Sequence, residues 1–158
     1  SKSIKVFLNS KNELECEVII LEDYELPLYT PTLEEKFKKN NSFPQNIQKI
    51  KDLICFSDAM VWCSPEYNGG ISPIVTNTIA WISRATDDWK DGFREKHSLI
   101  CTSSGGNGKN FVKGFKIQLS YLGSHVFEQS LIQTKAKNIE ENEFSSVLNE
   151  FCKNILNS

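Results

Sequence analysis

Short apolar, β-branched runs alternate along the chain with stretches whose apolar residues recur at helical spacing. Cys16 to Leu21 (CEVIIL) reads as a buried parallel strand, and Ala59-Met60-Val61-Trp62-Cys63, within Ser57 to Ser64, as a second. Ser98 to Thr102 is a third, and Val126 begins a fourth that reaches about Leu131. Between them, Phe43 to Phe56 carries Ile47, Ile50, Leu53 and Ile54 on one stripe. Ser72 to Arg84 has Pro73 in its first turn. Asn110 to Leu122 aligns Phe111, Phe115, Leu119 and Leu122 and stops at Gly123, and Glu141 to Asn157 closes the chain. Strands alternating with helices predict a parallel sheet covered on both faces.

The first ten residues fit two patterns. Ile4, Val6 and Leu8 alternate as in a strand, while Ile4, Phe7 and Leu8 share one side of a helix. Only about seven residues would then separate that strand from Cys16, and a parallel crossover needs a dozen or more, which favours a helix. The stretch Tyr24 to Ser42 is polar and proline-bearing and reads as a long loop.

A length of 158 residues predicts one domain, and the composition is that of a soluble globular protein. A net charge of -2 argues against a general nucleic-acid binder, which needs a basic face. The sequence has no apolar run near membrane-spanning length and no signal-peptide pattern. Five cysteines in no C-x-x-C spacing, with apolar neighbours around Cys63 and Cys101, predict reduced, buried thiols and a cytoplasmic protein. His97 and His125 are too few and too isolated in sequence for a histidine metal cluster, so no metal site is expected.

In a doubly wound sheet, ligands bind at the carboxyl ends of the strands, and two loops here follow strand-like runs. Ser64 to Pro73 contains Asn68-Gly69-Gly70, which supplies positive φ and close backbone approach. Thr102 to Lys109 (TSSGGNGK) suits a ring edge or a phosphate through backbone donors. The P-loop spacing is absent, since Gly108-Lys109 is followed by Asn110 and Ser103 stands where the first glycine belongs. Each loop by itself also fits an ordinary strand-to-helix connection. Because the two follow successive strands, they are expected side by side.

The run Ser64-Pro65-Glu66-Tyr67-Asn68-Gly69-Gly70-Ile71-Ser72-Pro73, followed by Asn77, Ile79, Trp81, Ile82, Ser83 and Arg84, resembles the NADPH-dependent FMN reductase family. Leu26-Pro27-Leu28-Tyr29, Ser57-Asp58-Ala59, Thr102 to Gly108 and Leu122-Gly123 extend the resemblance over nearly the whole chain. It implies a flavodoxin-like α/β fold: a doubly wound parallel sheet in three α/β/α layers. It also implies non-covalent FMN, with hydride from NADPH or NADH passed to a small-molecule electron acceptor such as free flavin, a quinone, an azo compound or a metal oxyanion. The implied ring contacts are Pro65, Glu66, Tyr67, Asn68 and Gly69 on one side and Ser103, Ser104, Gly105 and Gly106 opposite. The flavin supplies the chemistry, so Glu66 is given a positioning role and no residue is named catalytic.

The family's first strand and its arginine-bearing phosphate loop have no counterpart, and no arginine precedes Arg84. Ser1-Lys2-Ser3 matches the end of that loop, which implies residues before Ser1 and puts Ser1 and Ser3 at a helix N-terminus suited to phosphate. Thr76 and Ala80 stand where the family has lysine and aspartate, and Gly70 where it has serine. The apolar Ile71, Ile74, Ile79 and Trp81 suggest a homodimer or homotetramer.

Overall fold

The computed structural model describes residues 1–11, 13–40 and 42–157. Three strands, β1 (Ala59–Pro65), β2 (His97–Ser104) and β3 (His125–Thr134), form one parallel sheet in that order. Six α-helices accompany them among the described residues: α1 (Lys2–Asn9), α2 (Pro31–Lys39), α3 (Gln45–Phe56), α4 (Pro73–Ala85), α5 (Lys109–Tyr121) and α6 (Glu141–Leu156). The sheet separates two apolar layers. Ile50 and Ile54 of α3, Val75, Ile79 and Ile82 of α4, and Phe111, Phe115 and Leu119 of α5 pack with Trp62 and Ile100 on one face. Ile4 and Leu8 of α1 and Val147, Leu148, Phe151 and Cys152 of α6 pack with Leu99, Cys101, Phe127 and Leu131 on the other. This is the three-layer α/β/α fold the sequence predicts. Strand β2 is central and almost wholly buried, which explains its uninterrupted apolar run.

The opening segment is a helix, with Ile4 and Leu8 buried as its core-facing residues. The expected strand at Cys16 to Leu21 is not formed: residues 16–20 carry no regular structure, and Leu21–Tyr24 is a 3-10 turn. A strand needs a neighbour to satisfy its N–H and C=O groups, and none of the three strands pairs with this run. The backbone of Cys16 instead donates to Oδ1 of Asn9 at 2.8 Å.

The expected long loop from Tyr24 to Ser42 contains α2. Thr30 caps it, accepting from the backbone of Leu33 at 3.2 Å, and Pro31 opens the first turn. Glu34–Lys38 and Glu35–Lys39 pairs at four-residue spacing run along its flank.

His97 and His125 are not isolated. They are register partners at the amino ends of β2 and β3, with ring centroids 5.4 Å apart. Ile79 and Trp81, expected at a subunit interface, are instead core residues at 4% and 0% exposure. Cys101 is buried as expected, whereas Cys63 is exposed; all five cysteines are free thiols. No described helix is long and apolar enough to cross a membrane.

Candidate functional site

The carboxyl ends of β1 and β2 lie side by side, with Ser64 opposite Thr102 and Pro65 opposite Ser103. The pairing reaches one residue past β1, where Glu66 N–H donates to the carbonyl of Ser103 at 3.1 Å. The chain then reverses. Tyr67 and Gly70 exchange two backbone hydrogen bonds, of 3.1 and 2.8 Å, around Asn68 and Gly69. Both central residues have positive φ (49° and 73°), which defines a type I′ turn and explains the Asn-Gly pair. Beneath the turn, Ser64 Oγ donates to Ser72 Oγ at 2.9 Å in a buried contact that ties the strand end to the N-terminus of α4.

The second loop is held by its own side chains. Ser104 Oγ accepts from Gly106 N–H at 2.9 Å, and Asn107 Oδ1 accepts from Lys109 N–H at 3.0 Å. Gly108, at φ 69°, forms the N-cap of α5. A Cβ there would stand 2.7 Å from Ile132 Cγ2 and 3.1 Å from Thr102 Cγ2, so only glycine fits. Gly105 and Gly106, by contrast, have negative φ and no close neighbour; they leave open space.

Ser104 also donates to the Glu66 carboxylate, linking the two loops. Between them lies a cleft of roughly 440 Å³ lined by Glu66, Asn68, Gly69, Ser104, Gly105, Gly106, Asn107 and Asn110. That volume falls within the ordinary range for small-ligand sites, about 300–1,000 Å³. Among the described residues, the backbone N–H groups of Asn68, Gly69, Gly105 and Asn107 have no protein acceptor. Free donors of this kind, joined by three carboxamides, match a ligand edge rich in carbonyl and ring-nitrogen acceptors. The residues present therefore fit the polar edge of a flavin ring. A second depression, of about 520 Å³, is only the flank of α2 beside Pro31, where Lys38 and Lys39 are already paired with glutamates.

Six expected site residues thus line one cleft: Glu66, Asn68, Gly69, Ser104, Gly105 and Gly106. Pro65 and Ser103 sit at its base as register partners, and Tyr67 stands beside it at 56% exposure. Ser1 and Ser3 are exposed at the N-terminus of α1 and do not line it; Ser1 lies next to Cys63, near the end of β1. Asn107 and Asn110 line the cleft as well, beyond the ring contacts that the resemblance implies. Asn110 had one legible signal, its place in the first turn of a helix behind a glycine loop.

Elsewhere the motif turns out to be structural. Asn77 of α4 donates to the carbonyl of Pro27 at 3.0 Å and accepts from the N–H of Tyr29 at 2.7 Å. The Trp81 indole donates to the same Pro27 carbonyl at 2.6 Å and packs edge-on against Tyr29. These residues hold the Leu26-Pro27-Leu28-Tyr29 stretch on α4.

Residues 3–137 match the family model described as NADPH-dependent FMN reductase. The chain belongs to the NADPH-dependent FMN reductase family. Among curated proteins it is 29% identical over 92 residues to an uncharacterised protein of Mycoplasma pneumoniae, covering 58% of this chain and 52% of that one. It is 28% identical over 78 residues to an NADPH:quinone oxidoreductase of Arabidopsis thaliana, covering 49% of this chain and 38% of that one. The chain thus spans about half or less of these relatives' lengths. Among solved structures, FerB, a flavoenzyme NAD(P)H:(acceptor) oxidoreductase from Paracoccus denitrificans, superposes with a TM-score of 0.71 at 21% identity. That superposition covers 99% of this chain and 86% of FerB. An NADH:FMN oxidoreductase in its apo form gives 0.70 at 13% identity, covering 99% and 79%. At such identities these two superpositions establish the shared flavodoxin-like fold.

Proposed function

We propose that this chain holds FMN in the cleft between residues 64–70 and 102–108 and serves as an NAD(P)H-dependent reductase of a small electron acceptor. The observation that carries this reading is the convergence of two loops at adjacent strand ends on one cleft with unpaired N–H donors, at the place where this fold binds ligands. Membership of a flavin reductase family names the ligand class.

When bound, the flavin supplies the hydride chemistry. The protein's residues supply position. The type I′ turn and the linked Glu66–Ser104 pair fix one wall. Asn107 and Asn110, with the free N–H groups of Gly105 and Asn107, offer hydrogen-bond partners along the other. Fixed donors of this kind also stabilise negative charge that develops on reduction, because their orientation is set before the reaction. Ser1 and Ser3, at the start of α1, are the proposed partners for the phosphate end. The acceptor is a quinone or another small oxidant, in line with the quinone oxidoreductases among the relatives.

The test is an anaerobic titration of the FMN-loaded protein with NADPH and with NADH, followed in the visible spectrum. Bleaching of the flavin bands within seconds, restored by a quinone, supports the reductase. A flavin that stays oxidised with both nucleotides points to an electron carrier and removes the reductase reading.

A further inference from the structure

We propose that Cys63 and Cys101 form a dithiol modification site, which hydrogen peroxide converts to an intrachain disulfide at the base of the two cleft loops. The pair arises from register. Cys63 of β1 lies directly opposite Cys101 of β2. Trp62 and Ile100, one residue before each, face the α3–α5 layer, so both cysteines point to the α1–α6 face, where Cys101 packs with Leu99. Adjacent strands run about 4.8 Å apart. That spacing lies inside the Cα separation a disulfide tolerates, roughly 4.4–6.8 Å.

The two thiols have unequal roles. Their side chains are immediate neighbours across the ladder. The neighbouring Cys101 thiol steadies the Cys63 thiolate and holds the Cys63 thiol below its ordinary range. Cys101 is pushed well up, by its Cys63 neighbour first and by burial second. Cys63 is exposed and Cys101 buried. An accessible thiolate beside a protected thiol is the arrangement of an attacking and a resolving cysteine. The Cys63 thiolate attacks one peroxide oxygen, the O–O bond breaks, and water leaves after protonation, giving a sulfenic acid. The Cys101 sulfur then displaces the hydroxyl as a second water, forming the S–S bond. Two thiols and one peroxide give one disulfide and two waters. The other cysteines are poorer competitors, since burial raises the thiols of Cys16, Cys55 and Cys152.

The location couples the bridge to the cleft. The next two ladder positions are Ser64 opposite Thr102 and Pro65 opposite Ser103, and Glu66 follows. The proposal does not depend on the flavin reading, because its readout is the thiols themselves. Full-length protein without flavin is treated with stoichiometric hydrogen peroxide, then alkylated and mapped by mass spectrometry. The expected result is loss of two hydrogens and a linked Cys63–Cys101 peptide, reversed by dithiothreitol. Cys63 should be alkylated about tenfold faster than Cys152 at neutral pH. In Cys101→Ser the expected product is a sulfenic acid at Cys63, trapped by dimedone. A bridge from Cys63 to Cys16, sulfinic acid at Cys63 with Cys101 left free, or no preference for Cys63 overturns the proposal. Should a serine variant fail to fold, the wild-type map alone decides.

Discussion

Asn77 accepts from the N–H of Tyr29 at 2.7 Å and donates to the carbonyl of Pro27 at 3.0 Å, so one helix side chain pairs with an extended loop as a neighbouring strand would. Each such hydrogen bond contributes about 1 kcal/mol net, and more where its loss leaves a buried partner unpaired. Asn77→Ala is expected to cost roughly 2–3 kcal/mol. In a chain of this size that lowers Tm by about 5–10 °C. Asn77→Asp keeps the acceptor and loses the donor, so it should fall between. A thermal melt of the three proteins checks the order. Equal melting of wild type and Asn77→Ala would remove the clamp.

Gly108 and Gly105 lie in one loop yet should respond differently. Alanine at 108 meets Ile132 and Thr102 and must also hold a positive φ, so a cost of about 2–4 kcal/mol is expected. Alanine at 105 meets only the far end of Lys135, at 4.0 Å, and should change stability by less than about 0.5 kcal/mol. Urea unfolding of both variants tests the contrast.

Ser104 holds Glu66 and Gly106 at once, so Ser104→Ala should loosen both walls of the cleft. A loss of about 1–1.5 kcal/mol in FMN affinity, roughly tenfold in Kd, is expected with little change in the fold. Ser104→Thr retains the hydroxyl and should recover most of the affinity. Fluorescence titration of FMN measures all three.

The His97 ring is held below its ordinary range, first by burial and then by the neighbouring His125. The unfolded chain therefore binds a proton at higher pH than the folded one. This contribution to stability is fully present above the unfolded value, about 6.5, and is lost as pH falls through the folded value. Tm should decline as pH drops from 7 towards 5, and less steeply in His125→Gln, which removes the second cause. A Tm flat across that range in wild type would contradict the assignment.

Sequence legibility followed how local the deciding interaction is. The turn at Asn68-Gly69 was readable because positive φ at two consecutive positions is a property of those residues themselves. The cap Thr30-Pro31 was equally local, but the polar composition around it masked the short helix. The run at Cys16 to Leu21 has the right residues for a strand; whether it forms one depends on a neighbour that no local pattern encodes. The same holds for His97 opposite His125 and for Cys63 opposite Cys101, since register between distant segments is set by the whole sheet. Asn110 became a cleft residue only when the α5 N-terminus was placed against the Asn68 turn, where its amide sits 3.7 Å from the position of a Gly69 Cβ.

Substitution at Gly106 decides whether FMN sits between the two loops. Its Cβ position is open, 3.7 Å from Ser104 Oγ, so Gly106→Val should fold normally while placing a branched side chain in the cleft. In a titration of FMN fluorescence, wild type should quench saturably at one flavin per chain. Gly106→Val, matched by circular dichroism and Tm, should bind at least about tenfold more weakly, a change of about 1.4 kcal/mol. Equal affinity in both proteins, or no binding by wild type, would contradict that placement.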